Sequence, residues 1–344
     1  MSRLRLILAL PFALVAVYEG TIVTTGSRAD RAAAATTSVA PPPPWRPKAG
    51  TSSGPSAAPT QEIATTSAAP QRRWTYDWPL KPFGRAHPVR AYLNDPRVPM
   101  RGQTHTFHFG VDISAHGGTA VYAVEPGTVR SLNRWAVEVI SADRTLEYWH
   151  IEPLVRSGQR VNRHTLLGHT KVTFNHLHLS EYRSHRYVNP IRPGGIGPFA
   201  DHTSPRTTKV TFRRPGRWLD PQAVRGRVDL VADAFDTAAD VTPKPWPVTP
   251  ATLRWRIFRG GRVVVGWQLA LDFRTRVLKP SQFAGIYAPG TRMNHPGWPG
   301  YYSLYLAHRW SSASLPNGSY RLQVRASDIR GNSSLTIFPF RIAN

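Results

Sequence analysis

Apolar and polar side chains alternate with period two along much of the chain, a pattern that predicts strands rather than helices. Phe107, Phe109, Val111 and Ile113 are apolar, with His108, Gly110 and Asp112 between them. Read as one strand, this segment puts an imidazole and a carboxylate on the same face. A straight strand would hold them about 13 Å apart. The chain must bend for both to reach one ligand, and Gly110 is where a bend costs least. The same period recurs later: Leu177 and Leu179 face one way, His176, His178 and Ser180 the other. In the C-terminal region Leu253, Trp255 and Ile257 alternate with Arg254 and Arg256. Tyr320, Leu322, Val324 and Ala326 alternate with Arg321, Gln323 and Arg325. Val228, Leu230 and Ala232 alternate with Arg227 and Asp229 and, less cleanly, with Val231. Gly260 and Gly261 predict a hairpin turn, and Gly331 lies in another turn before a last strand over residues 335–342. The expected fold class is all-β: a compact antiparallel-sheet domain over residues 74–205, then a β-sandwich over residues 206–344. Prolines and glycines within residues 190–205 mark the exit from the first domain.

The N-terminal part follows other rules. Arg3 and Arg5 precede an apolar run over residues 6–18, interrupted afterwards by Glu19. The run is shorter than the ~20 residues that span a bilayer, so residues 1–35 read as an export signal or an uncleaved anchor. Either role places the remainder outside the cytoplasm. Residues 36–73 are rich in Ala, Pro, Ser and Thr and lack the apolar content to fold, so they read as a tether.

Composition narrows the chemistry. The chain has no cysteine, so any metal must be held by imidazole and carboxylate. Lys and Arg number 44 against 20 Asp and Glu, a net charge of +24, which favours an anionic partner. Nucleic acid is one such partner, but no nucleic-acid module is recognisable and an export signal removes the protein from it. Two imidazoles two residues apart on one strand face, His176 and His178, converge on one site and suit metal ligation or a ligand beside a base. His150, at the end of the run Tyr148, Trp149, His150, is weak evidence alone. His105, His116, His164, His169, His185 and His202 sit in polar, loop-like contexts and are expected at the surface, while His295 and His308 belong to no cluster in the sequence and are expected to be structural or exposed.

Taken in order, these segments resemble the lysostaphin-type zinc endopeptidases that cut peptidoglycan peptides. His108 and Asp112 look like the family's first signature and His176, Leu177 and His178 like its second. Tyr148, Trp149 and His150 lie between them in the expected order. The resemblance covers about residues 74–205. It implies one zinc ion held by His108, Asp112 and His178, with His150 and His176 as unligated catalytic histidines. Which of those two takes the proton from water and which assists the oxyanion or leaving group stays open. It also implies a zinc metalloendopeptidase acting on peptidoglycan, or docking to that or another anionic envelope polymer, and not on nucleic acid. One departure concerns the stretch His169, Thr170, Lys171, Val172, Thr173, Phe174, where many members have a Gly- and Ser-rich loop; it bears on the shape of one cleft wall. The Asn317 to Asn332 portion resembles immunoglobulin-like accessory domains of exported proteins.

Overall fold

The computed structural model describes residues 75–97, 105–237, 245–295 and 298–344. The expected signal or anchor and the tether lie outside the described residues. The regular structure of the described residues is nearly all strand, and all the strand pairs named here are antiparallel. One four-residue helix, α1 (Phe283–Ile286), is the exception apart from two short 3-10 turns.

The first half builds strands β1 (Val89–Ala91), β2 (Pro96–Arg97), β3 (Thr106–Phe107), β4 (Val111–Ser114), β5 (Ala120–Tyr122), β6 (Gly127–Asn133) and β7 (Ala136–Ile140). It continues through β8 (Thr145–Trp149), β9 (Ile151–Pro153), β10 (Arg160–Val161), β11 (Leu166–Thr170), β12 (His176–Arg183) and β13 (Arg186–Val188). The main sheet runs β1-β4-β12-β8-β7-β6-β10, with β13 also on β12, and a small sheet β5-β11-β9 accompanies it. Strand β12 is central, so residues 176–181 are all buried. Its leucines, Leu177 and Leu179, join Val111, Ile113, Val137, Val139 and Tyr148 in the core, which leaves its histidines for the opposite face.

The segment read as one strand through His108 and Asp112 is interrupted. It forms β3 and β4 with residues 108–110 outside either strand. Gly110 is needed there for space and not for an unusual φ. A Cβ on it would meet the Leu179 carbonyl oxygen, Ser180 Oγ at 2.8 Å and His178 Nε2 at 2.9 Å.

The second half has β14 (Arg206–Arg214), β15 (Arg217–Leu219), β16 (Arg227–Thr237), β17 (Pro247–Val248), β18 (Thr252–Arg259) and β19 (Arg262–Asp272). After α1 come β20 (Ser303–Ser311), β21 (Gly318–Ser327) and β22 (Ser333–Ile342). One sheet runs β15-β14-β16-β17 with β20 on β16, and the other runs β19-β18-β21-β22. Their inner faces share a core of Leu230, Leu304, Leu253, Leu322 and Phe340, which is a two-sheet sandwich. The predicted turn at Gly260 and Gly261 joins β18 to β19, with φ of 51° and 84°. The expected alternation in β16 fails after Leu230. Bulges beside Leu230 shift the register, and Val231 is buried with its neighbours.

No strand runs between Val188 and Arg206. The cores are less separate than the strands: Phe107 packs in the second core, and Val248, Ala251 and Ile329 pack in the first. Buried Asp95 accepts from Thr249 N at 3.0 Å and from the Thr249 hydroxyl, and Tyr287 donates to the Asn94 carbonyl at 2.6 Å. The described residues form one compact unit.

Candidate metal centre

Register builds the centre. In the β4–β12 ladder His178 stands opposite Asp112, and His176 opposite Ser114. Cross-strand partners on one face hold their Cβ atoms about 5 Å apart, so the carboxylate and the imidazole meet without any bend. His108 arrives from the break before β4. Its Nε2 lies 2.7 Å from His178 Nδ1 and 3.0 Å from Asp112 Oδ1, and His178 Nδ1 is also 3.0 Å from Asp112 Oδ1. All three residues are buried.

The outer atoms fix the inner ones. His108 Nδ1–H donates to the Tyr92 carbonyl at 2.8 Å, which leaves Nε2 as a bare lone pair. His178 Nε2–H donates to Ser180 Oγ at 2.7 Å, which leaves Nδ1 bare. Arg97 Nη2 donates to Asp112 Oδ2 at 2.7 Å, so only Oδ1 faces the imidazoles. Two imidazole nitrogens and a carboxylate oxygen therefore converge within 3.0 Å of one another, an arrangement that suits a shared cation. Two imidazoles and one carboxylate match the donor set and number of a catalytic zinc site. Zinc fits these residues.

Burial sets the charge states. It pushes His108 down to about 3, aided by the Arg97 guanidinium, so the imidazole is neutral and able to ligate. Burial opposes ionisation of Asp112, but the groups facing it, the permanently charged Arg97 guanidinium among them, outweigh burial and hold its carboxyl well below the usual range.

His150 and His176 flank the cluster. His176 Nδ1–H donates to the Phe174 carbonyl at 2.7 Å, and its Nε2 lies 3.8 Å from Asp112 Oδ1. The rings of His150 and His176 are 4.6 Å apart, and those of His150 and His178 6.2 Å. Burial is the main cause lowering both pKa values, so both rings are neutral near pH 7. His150 adopts φ 67° and Asn175, just before β12, φ 50°. Left-handed backbone at two non-glycine residues beside one cluster is the strain that functional sites retain. In the departing loop Phe174 stacks on His150 at 4.1 Å and Lys171 Nζ sits 3.6 Å over the Trp135 ring. An aromatic and basic wall thus replaces the small residues expected there.

All five residues singled out from the sequence come together. His105, His116, His164, His169, His185 and His202 are not buried. No local pattern marks Arg97 or the Tyr92 carbonyl; Ser180 was visible as a same-face neighbour of His178.

Residues 106–190 match the family Peptidase family M23, which supports a peptidase reading of the site. No curated protein matches the chain significantly. Among solved structures, Helicobacter pylori Csd3 is 20% identical over 35% of this chain and 34% of its own, with a TM-score of 0.29. A zinc-containing peptidase from Vibrio cholerae is 21% identical over 34% of this chain and 39% of its own, with a TM-score of 0.29. The deep-sea M23 metalloprotease pseudoalterin is 13% identical over 57% of this chain and 97% of its own, with a TM-score of 0.26. This chain thus spans little more than a third of the length of the first two, and similarity at these scores says nothing further about its architecture. Over the stretch that carries His108, Asp112, His150, His176 and His178, the chain is similar to Peptidase family M23.

Proposed function

We propose that the chain is a zinc-dependent endopeptidase that hydrolyses peptide bonds of bacterial peptidoglycan outside the cytoplasm. The observation that carries the peptidase part is the convergence of three bare ligand atoms beside two neutral, unligated imidazoles. His108 Nε2, Asp112 Oδ1 and His178 Nδ1 would hold the metal. When bound, zinc supplies Lewis acidity toward a carbonyl and lowers the pKa of water toward ~7. His176, with Nδ1–H committed to Phe174, presents Nε2 as the base that accepts the water proton. His150, held neutral by burial, carries an N–H for the developing oxyanion and a proton path to the leaving amine. Trp135, Lys171 and Phe174 form the wall against which the peptide lies.

The peptidoglycan substrate follows from the resemblance and the net charge of +24, and the extracytoplasmic location from residues 1–35. The experiment is digestion of purified wall with and without a chelator, alongside His178→Ala and His176→Ala. The expected result is chelator-sensitive release of peptide ends, loss of zinc in the first variant, and retained zinc with ~10²–10⁴-fold lower cleavage in the second. No release by zinc-loaded protein, together with an unaffected His178→Ala, sinks the reading.

A second reading, a non-catalytic wall-binding or hydrolase-activating module, has its own observation. On the outer face of the β19-β18-β21-β22 sheet Arg256 and Arg325 lie 4.4 Å and 5.0 Å over the Trp267 ring. Arg254 and Arg325 are paired across strands with both exposed. Like charges placed opposite each other are unfavourable without an anionic partner. We read this face as the wall-holding surface of an immunoglobulin-like accessory sandwich. Wall binding that survives zinc removal, without cleavage, would favour this second reading.

A further inference from the structure

A second set of acidic side chains lies outside the histidine cluster and takes no part in the proposed hydrolysis. Asp201 follows the first half, Asp236 lies near the end of β16, and Asp328 begins the turn from β21 to β22. They are 4%, 1% and 3% exposed, and one carboxylate oxygen from each lies within 4.8 Å of the other two. Each carboxylate is fixed from behind. Asp201 Oδ1 accepts from Thr203 N at 3.1 Å and from its hydroxyl at 2.9 Å. Asp236 Oδ1 accepts from Thr237 N at 2.8 Å. Asp328 Oδ1 accepts from the backbone N–H groups of Arg330, Gly331 and Asn332 at 2.8, 2.6 and 2.9 Å. Asn332 Nδ2 donates to Asp328 Oδ2 at 2.6 Å and to the Asp201 carbonyl at 2.7 Å. The acids are thus unable to turn apart.

Two further polar atoms point to a ligand. Asp236 Oδ2 is buried and has no hydrogen-bond partner among the described residues. The Tyr92 hydroxyl, on a residue 5% exposed, also has none. The charges acting most strongly on that hydroxyl are Asp236, Asp201 and Asp328, in that order, with Asp95 behind them. The Tyr92 hydroxyl donates to none of these carboxylates. Arg330 is the nearby cation of this group, but its Nε has no partner among the described residues and its guanidinium lies over Phe199 at 4.9 Å.

We propose that Asp201, Asp236, Asp328 and the Tyr92 hydroxyl form a structural calcium site. An all-oxygen donor set selects a hard cation, and among the described residues no imidazole joins this group to favour zinc. Calcium accepts six to eight oxygens at 2.3–2.6 Å in adaptable geometry. Oxygens up to about 4.8 Å apart can lie on opposite sides of one such ion. Magnesium keeps several of its waters, which suits a buried protein cage poorly. Bound calcium would clip three distant segments of the chain together. It would also anchor Tyr92, whose carbonyl orients His108. The site stands independently of the peptidase reading.

The test uses the full chain, with calcium removed by a selective chelator. Calcium content and calorimetric titration are measured on wild type and on His178→Ala, where the histidine site is broken. One calcium per chain is expected in both. Calcium at about a hundred times its dissociation constant should raise the Tm by about 5–10 °C. Asp236→Asn should bind none, should melt no lower than calcium-free wild type, and should not respond to calcium. Tyr92→Phe should bind more weakly. The proposal is overturned if wild type binds no calcium and its Tm ignores the ion, if Asp236→Asn binds as wild type does, or if magnesium shifts the Tm equally.

Discussion

Replacing Gly110 with alanine probes the metal centre with a single methyl group. The φ at Gly110 lies outside the left-handed range, so the added side chain meets no backbone penalty and the effect is purely one of space. Its Cβ would lie 2.8 Å from Ser180 Oγ and 2.9 Å from His178 Nε2, and closer still to the Leu179 carbonyl oxygen. Ordinary carbon–oxygen contacts begin near ~3.3 Å, so the overlap is about half an ångström on side chains and more on backbone. Strand β12 is hydrogen-bonded on both sides, by β4 and β8, and has little room to retreat. Overpacking of this kind costs about 1–3 kcal/mol, or roughly 2–12 °C in Tm at ~2–4 °C per kcal/mol. The methyl also pushes on the His178–Ser180 hydrogen bond that leaves His178 Nδ1 bare. Disturbing such an outer partner weakens metal binding ~10–100-fold. The assay is zinc competition against a chromophoric chelator, with thermal melts of the metal-free protein. Gly84→Ala is the control, because nothing lies within 4 Å of its Cβ position; it should be neutral or slightly stabilising. If Gly110→Ala binds zinc as tightly as wild type and melts with the Gly84→Ala control, the steric account of this site is wrong.

Two further outcomes are expected. His108 is pushed by burial from 6.5 to about 3, and His150 and His176 are also lowered. For His108, stability is intact above ~6.5 and falls by about 1.4 kcal/mol per pH unit as pH drops toward about 3, and the lowered pKa values of His150 and His176 act in the same direction. Urea unfolding of metal-free protein between about pH 7.5 and pH 4.5 should show that decline, and a flat profile would contradict neutral burial of these rings. Elsewhere in β12, Glu181 is fully buried and takes Arg192 at 2.6 and 2.8 Å and the Tyr76 hydroxyl at 2.8 Å. Arg192→Met should therefore cost about 3–5 kcal/mol by leaving a buried carboxylate short of its partner. A melt within a degree or so of wild type would show that Arg144, 3.5 Å away, suffices alone.

What could be read from the sequence was local. Period two at residues 176–179 assigns Leu177 and Leu179 to the core and His176 and His178 to the other face, because a strand allows no other placement. The paired glycines at 260 and 261 fix a hairpin because both central residues need positive φ. The five candidate site residues from 108 to 178 were gathered by the resemblance to the lysostaphin-type family and not by local pattern alone. Period alone does not show where the strand stops: the alternation continues through residues 108–110, where the chain leaves the strand and bends at Gly110, bringing His108 to 3.0 Å from Asp112. The alternation in β16, already uneven at Val231, fails because bulges alter the register and residues 230–234 are buried in succession.

The tertiary structure decided everything that depends on partners distant along the chain. Arg97 reaches Asp112 only because β2 pairs with β3, and Tyr92 reaches His108 only through the turn before β2. Asp201, Asp236 and Asp328, spread over more than a hundred positions, share no pattern that marks them as neighbours. Alternation is a property of one strand and survives in its sequence. Cross-strand register and the meeting of loops arise from packing between segments, where one residue of slippage would exchange one neighbour for another.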